Sequence, residues 1–224
     1  MKKMSLKKII KNKYSHLLFF LVAIYAITPI MHKLRVIFPV VSLLFVLVII
    51  ATLRVLRPRK SIFHIAVGVA VAAFLFEYLL ILNVISTNIE GLTEIVLALY
   101  ILFIGIALVF LIKNVFLEKS VTSDTIKGGI SIYLLMGYWW GLLYSLIAVF
   151  NQKAFISVDN IANISDYLFY FSFTTLTTVG YGDIVPKSEL AMTACGLEAI
   201  AGQVYLTVFV ARLVGIHIVS SYKK

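Results

Sequence analysis

Apolar runs long enough to cross a bilayer recur along this chain of 224 residues, and that recurrence leaves it few folds. Hydrophobic residues make up 62% of the sequence and charged ones only 13%, so most of the surface must face lipid rather than water. In lipid every backbone N–H and C=O has to be satisfied within the protein, which restricts spanning segments to helices or a closed barrel. The runs have the length of helices, which need about 20 residues to cross. They fall at about 14–31, 36–53, 62–85, 92–112, 130–150 and 189–219. The predicted fold is an all-α integral membrane protein with six transmembrane helices.

The polar segments between these runs set the topology. A net charge of +10 would suit nucleic acid, but the basic residues fall in short clusters between apolar runs, as membrane-topology signals do, so no nucleic-acid partner is expected. Residues 1–13 carry Lys2, Lys3, Lys7, Lys8, Lys11 and Lys13 and read as a cytoplasmic tail placed to touch anionic lipid headgroups. Lysines before an apolar run also describe a signal peptide. No small-x-small cleavage site follows, however, and Pro29 leads into the next apolar run, so the first span reads as retained. Arg54, Arg57, Arg59 and Lys60 form a cluster broken by Pro58 and read as a cytoplasmic loop rather than a voltage sensor. Asn88, Glu90 and Glu94 suit an outer link, while Lys113, Glu118, Lys119, Asp124 and Lys127 mark a return to the inside. Lys33, Arg35, Lys153 and Lys187 are then the outer basic residues, with Lys33 and Arg35 discordant, and both termini are cytoplasmic in a cell-membrane protein. Gly128-Gly129 reads as a flexible entry to the fifth span, in which Gly137 and Gly141 allow close helix approach. Trp139, Trp140 and Tyr144 read as packing aromatics, and the single cysteine, Cys195, as a small packing residue.

Between the last two runs lies Thr174-Thr175-Leu176-Thr177-Thr178-Val179-Gly180-Tyr181-Gly182-Asp183. Consecutive carbonyls can replace the water shell of a cation only if they point the same way, which demands φ > 0 at alternate residues. Glycine adopts that conformation readily. Gly180 and Gly182 alternate with Val179 and Tyr181, so the carbonyls of Thr178, Val179, Gly180 and Tyr181 can line a file of K+ sites, the Thr178 hydroxyl closing the inner end. In a soluble protein the same residues would be an ordinary turn. At membrane depth, non-helical backbone survives only where protein buries it or where it lines a wet cavity. Upstream, residues 151–165 read as a polar outer turret, and Ser165 or Asn163 as the cap of a helix over about 166–177, with Asp166 in its first turn. That helix is too short to cross and reads as re-entrant, its negative dipole end aimed at the membrane centre.

From about residue 166 to 211, through the full Thr-Val-Gly-Tyr-Gly-Asp and on to Pro186, the chain resembles the pore of tetrameric potassium channels. Its general plan is similar to that of compact bacterial six-span channels. The resemblance implies a passive K+ channel assembled as a homotetramer, with Thr178, Val179, Gly180, Tyr181, Gly182 and Asp183 as the selectivity filter and Thr174, Thr175 and Thr177 supporting it. Three regions follow: the tail 1–13, a peripheral four-helix unit 14–125 and a pore module 126–224. No cofactor is implied beyond the permeant ion. The alternative is a subunit of a potassium uptake transporter, but such proteins usually carry several degenerate filter loops in one chain. An enzyme is disfavoured, because His16, His32, His64 and His217 fall in separate segments with no metal-ligand spacing.

Five further residues are singled out in the spans. Gly202 lies nineteen residues beyond Asp183, where the resemblance places an inner-helix glycine. It suits a hinge or close packing equally, and Gln203 beside it is expected to face the cavity. Glu198 is expected to face protein behind the filter, either in a functional role or as a structurally satisfied carboxyl. Glu77 in the third span calls for a polar partner on a neighbouring helix, one that sequence does not name. Arg212, near the inner end, is long enough to snorkel to the interface. The fourth span has no arginine, so only shallow voltage dependence is expected.

Overall fold

A computed structural model of the chain describes residues 13–31, 38–56, 60–81, 91–118, 120–157 and 164–221. The tail to residue 12, the 32–35 link, Arg57, Pro58, Arg59, Asn88, Glu90, Lys119, Asn163, Lys223 and Lys224, which carry parts of the topology argument, lie outside the described residues. The apolar runs form helices α1 (Ser15–Met31), α2 (Phe38–Leu56), α3 (Lys60–Ile81), α4 (Leu92–Leu117), α5 (Ser123–Phe150) and α7 (Glu189–Ser221). A 3-10 turn, Ile164–Tyr167, leads into the short helix α6, Leu168–Leu176. Among the described residues α3, α4, α5 and α7 are long and apolar enough to cross a membrane, and the apolar stretches Ser15–Ile27 and Ser42–Arg54 of α1 and α2 are shorter.

Helix α5 is the hub, packing against α1, α4, α6 and α7, while α3 covers α4. It begins seven residues earlier than its apolar run, so Gly128 and Gly129 lie inside it rather than forming a flexible entry. Two local causes start it at Ser123. Thr122 and Thr125 form a capping box, each side chain accepting the other's backbone N–H at 3.1 and 3.3 Å. Buried Asp124 then accepts the N–H groups of Lys13 and Tyr14, both at 3.1 Å, so one carboxylate in the first turn of α5 also serves the start of α1. The glycines survive within the helix because aromatic rings occupy the space their side chains would take. Tyr14 and Val115 fill the face of Gly128, and the Phe209 ring of α7 lies where a Cβ on Gly129 would be.

At the same end of the bundle, Arg212 of α7 donates to the carbonyls of Val115 and Glu118 at 3.0 and 2.6 Å, and its guanidinium lies over the Phe116 ring. The guanidinium therefore meets the unsatisfied carbonyls at the end of α4. Glu118 in turn accepts from Lys13 Nζ at 2.5 Å and from the Thr125 hydroxyl at 2.7 Å. Partial burial pushes this carboxyl up, but the bonds from Lys13 and Thr125 and the charges of Lys13 and Arg212 outweigh it and hold it below the usual range.

The chain between α5 and α6 was expected to be polar turret alone. It contains strand β1 (Phe155–Ser157), which pairs antiparallel with β2 (Ile184–Pro186) in the register Phe155↔Pro186, Ile156↔Val185 and Ser157↔Ile184. Ala154 O also accepts from the N–H groups of Lys187 and Ser188. The buried side of this ribbon joins Trp140, Tyr144, Leu168 and Phe171 in a second hydrophobic cluster, separate from the main core between α1 and α5.

Gly129→Ala will force α7 away from α5, at a cost of about 1–3 kcal/mol from overpacking. Thermal unfolding of the detergent-solubilised protein will show a lower midpoint. The double variant Gly129→Ala with Phe209→Leu will recover part of that loss.

Candidate functional site

Helix α6 has nine residues, about 14 Å of length, less than half the thickness of a bilayer core. Its α-helical part starts at Leu168, two residues later than the sequence implies. Ser165 and Asp166 belong to the preceding 3-10 turn, and the N-cap position of α6 is Tyr167, which makes no side-chain cap bond. A tightened 3-10 turn commonly leads into an α-helix and reduces its need for such a cap.

At the other end of α6 the last carbonyls all have partners. Phe173 O accepts the Thr177 N–H at 3.1 Å and the Thr177 hydroxyl at 2.6 Å. Thr174 O accepts two N–H groups, from Val179 at 2.9 Å and Gly180 at 3.1 Å, and Thr175 O accepts that of Thr178 at 2.9 Å. Leu176 O accepts the Tyr133 hydroxyl of α5 at 3.0 Å. The hydroxyls of Thr174 and Thr175 both donate back to Phe171 O. The strand that follows is thus folded tightly onto the helix end.

Along that strand φ is positive at Thr178 (60°), Gly180 (51°) and Gly182 (81°). Every second residue is left-handed, the pattern that turning successive carbonyls to one side demands. The two glycines were expected to adopt it. Threonine was not, because a branched side chain there is strained. From Thr177 to Gly182 the chain is exposed, with Val179 53% and Tyr181 70% accessible. At Asp183 the strand is tied down again. Its Oδ2 accepts the Tyr170 hydroxyl of α6 at 2.9 Å, its Oδ1 accepts the Ile184 N–H at 3.1 Å, and the Tyr170 ring stacks on Tyr181 with centroids 6.2 Å apart.

Glu198 of α7 is fully buried. Its Oε2 accepts the Tyr144 hydroxyl of α5 at 2.5 Å, and its Oε1 lies 2.6 Å from the Ser172 hydroxyl of α6. Ser172 Oγ is also 2.8 Å from Gly137 O. Gly137 and Gly141 do admit a close neighbour, the Phe173 and Phe169 rings of α6. Gly202 is buried against α6 as well. A Cβ there would stand 2.5 Å from Leu176 O and 2.9 Å from Leu176 Cδ1, a close-packing contact within a helix that runs unbroken from Glu189 to Ser221. Gln203 is exposed on α7, and its carbonyl accepts the Thr207 hydroxyl. Glu77 stands apart in the peripheral helices, where Tyr100 of α4 donates to its Oε2 and Ser42 of α2 also bonds to the carboxyl.

Sequence reasoning missed Tyr170, Ser172 and Tyr133, and it read Tyr144 as a packing aromatic without its bond to Glu198. For Ser172 a signal existed, since a hydroxyl within the run Leu168–Phe173 needs an acceptor. No spacing singles out Tyr170 from its aromatic neighbours.

Residues 130–217, from the second turn of α5 to the last part of α7, match the family model described as Ion channel. This segment is similar to ion-channel domains. It encloses α6, the alternating strand, β2 and the Glu198 junction, and the match supports a potassium-channel family. Such a family is not an enzyme class. No curated protein and no solved structure matches the chain.

Gly202→Ala will press a methyl group on Leu176 O and displace α7 from the end of α6. Thermal stability and ion current will fall together, the stability by about 1–3 kcal/mol. A changed open probability at unchanged stability would mark a hinge instead.

Proposed function

We propose that the protein is a potassium-selective channel that conducts K+ passively across a cell membrane as a homotetramer. The observation that carries this reading is the left-handed backbone at Thr178, Gly180 and Gly182, on a strand folded onto the end of a nine-residue helix inside a segment similar to ion-channel domains. Carbonyls of Thr178, Val179, Gly180 and Tyr181 from four copies would form the ring around dehydrated K+, with the Thr178 hydroxyl at the inner end and Gly182 and Asp183 at the outer mouth. One chain supplies one such strand, and closed rotational symmetry completes the ring. The exposure of residues 177–182 in the single chain supports this, because non-helical backbone at membrane depth has to be buried in protein or line a wet cavity, and other copies would supply that surround.

In this reading α1 to α5 and α7 are the six spans, with both termini cytoplasmic, and α6 is a re-entrant pore helix. Residues 126–224 conduct, residues 14–125 form the peripheral unit and residues 1–13 the basic tail. Thr174, Thr175 and Thr177 shape the helix end, and Gln203 faces the cavity. Membrane lipid is the remaining partner, with no nucleic acid.

Current recording from purified protein in liposomes, under opposed potassium and sodium gradients, tests the reading. The reversal potential will follow potassium. Gly180→Ala forces a side chain onto a residue at φ 51°, and it will abolish potassium current while leaving an assembled tetramer by size-exclusion chromatography. Normal selectivity in that variant would sink the filter assignment.

Helix α4 carries Glu94 and Lys113 but no arginine, so conductance in symmetrical potassium will change only shallowly with voltage. A slope that requires about three or four gating charges per subunit would overturn this expectation and the topology behind it.

A further inference from the structure

The Glu198 carboxyl occupies a junction to which conduction by backbone carbonyls assigns no task. It has no exposed surface, and its two oxygens face two other helices, Tyr144 of α5 at 2.5 Å and Ser172 of α6 at 2.6 Å. Ser172 Oγ is at the same time 2.8 Å from the carbonyl oxygen of Gly137. A serine hydroxyl has one proton to give. If it goes to Glu198, the oxygens of Ser172 and Gly137 face each other at 2.8 Å with no hydrogen between them, which is repulsive. If it goes to Gly137, the 2.6 Å contact with Glu198 needs a proton of its own, and only the carboxyl can supply it.

The arrangement closes when the carboxyl is the neutral acid. Tyr144 then donates to Oε2, the acid O–H on Oε1 donates to Ser172 Oγ, and Ser172 donates to Gly137 O. The surroundings agree. The titratable groups facing Glu198 are Tyr133 and Tyr144 on α5 and Cys195 one turn earlier on α7, with the Ser172 hydroxyl on α6. Among the described residues the salt bridge present joins Lys13 to Glu118, far from this point. A carboxylate without a counter-ion at membrane depth would be costly.

We infer that Glu198, as a neutral acid, is a positioning residue for conduction, joining the inner helix α7 to the pore helix α6 and to α5 and so fixing the helix end from which the filter strand starts. Ser172 lies two residues before Thr174, whose carbonyl holds the N–H groups of Val179 and Gly180. A displacement of α7 is therefore passed through Glu198 and Ser172 to the strand. This inference rests on the channel reading above and gives that channel a link from its inner helix to its filter.

Recordings of the wild type, Glu198→Gln, Glu198→Asp and Glu198→Leu in liposomes test it, read as single-channel current and potassium-to-sodium permeability ratio, with assembly followed by size exclusion. Glutamine reproduces the neutral acid, its carbonyl accepting from Tyr144 and its amide donating to Ser172. It will keep both quantities within about twofold of the wild type, whereas Asp, too short to reach both partners, and Leu, which leaves both unpaired, will lower current roughly tenfold or more. A Glu198→Gln protein that fails to assemble, or conducts as poorly as the Asp variant, overturns the neutral-acid assignment. Asp and Leu channels that conduct like the wild type overturn the positioning role, even if less protein folds. Should neither assemble, Tyr144→Phe and Ser172→Ala, each of which removes one hydroxyl, carry the comparison, and wild-type behaviour in both overturns it. A wild type that passes no potassium defeats the channel reading itself, which is a distinct result.

Discussion

A helix that stops inside a membrane protein must hand over its last carbonyls to something other than water. That requirement governs α6. Its final four carbonyls, Phe173 to Leu176, are taken by backbone N–H groups from Thr177 to Gly180 and by the hydroxyls of Thr177 and Tyr133. An unsatisfied group there would cost several kcal/mol, on the order of the whole margin of a folded domain. The compact path of the strand after α6 is thus enforced by the helix end itself. The left-handed residues follow, because the chain has to turn back within a few positions.

The second organising device is the replacement of side chains by neighbouring rings along α5. Gly128 faces Tyr14, Gly129 faces Phe209, Gly137 faces Phe173 and Gly141 faces Phe169, so one helix receives α1, α7 and α6 at close range. Four glycines in a helix interior sacrifice helix propensity, about 1 kcal/mol each. Packing contacts offset that loss, since dispersion between aromatic rings and backbone is most favourable where no Cβ intervenes. Polar struts cross two of the same interfaces, Tyr205 to Gly129 O and Tyr138 to Leu21 O, and a third, Trp139 to Ile101 O, joins α5 to α4. Each is a side-chain donor meeting a helix carbonyl, a bond that keeps its strength away from water.

What the sequence made legible was governed by local chemistry. Gly180 and Gly182 announce their own backbone, and the apolar runs announce the helices, to within a few residues at most ends. The start of α5 was hidden because a Gly-Gly pair reads locally as a break, while the rings that stabilise it come from residues 80 and 114 positions away in sequence, Phe209 against Gly129 and Tyr14 against Gly128. Thr178 was hidden for the opposite reason. Its propensity argues against φ of 60°, and only the bonds that α6 makes with its neighbours impose it. Glu198 could be singled out as an intramembrane carboxyl, but its partners lie 54 and 26 residues away, and no periodicity connects them. The β1–β2 ribbon gave no signal, since three-residue strands carry too little alternation to read.

The β1–β2 ribbon ties two distant parts of the chain together. Three residue pairs and the bonds from Lys187 and Ser188 to Ala154 clamp the exit of the strand directly to the segment that leaves α5. Ser157 and Ile164, the described residues on either side of 158–163, are held by β1 and by the 3-10 turn. Loop-closure cost grows only logarithmically with length once the ends are fixed. The position of Ile184 therefore does not depend on the length of the chain that joins β1 to the 3-10 turn.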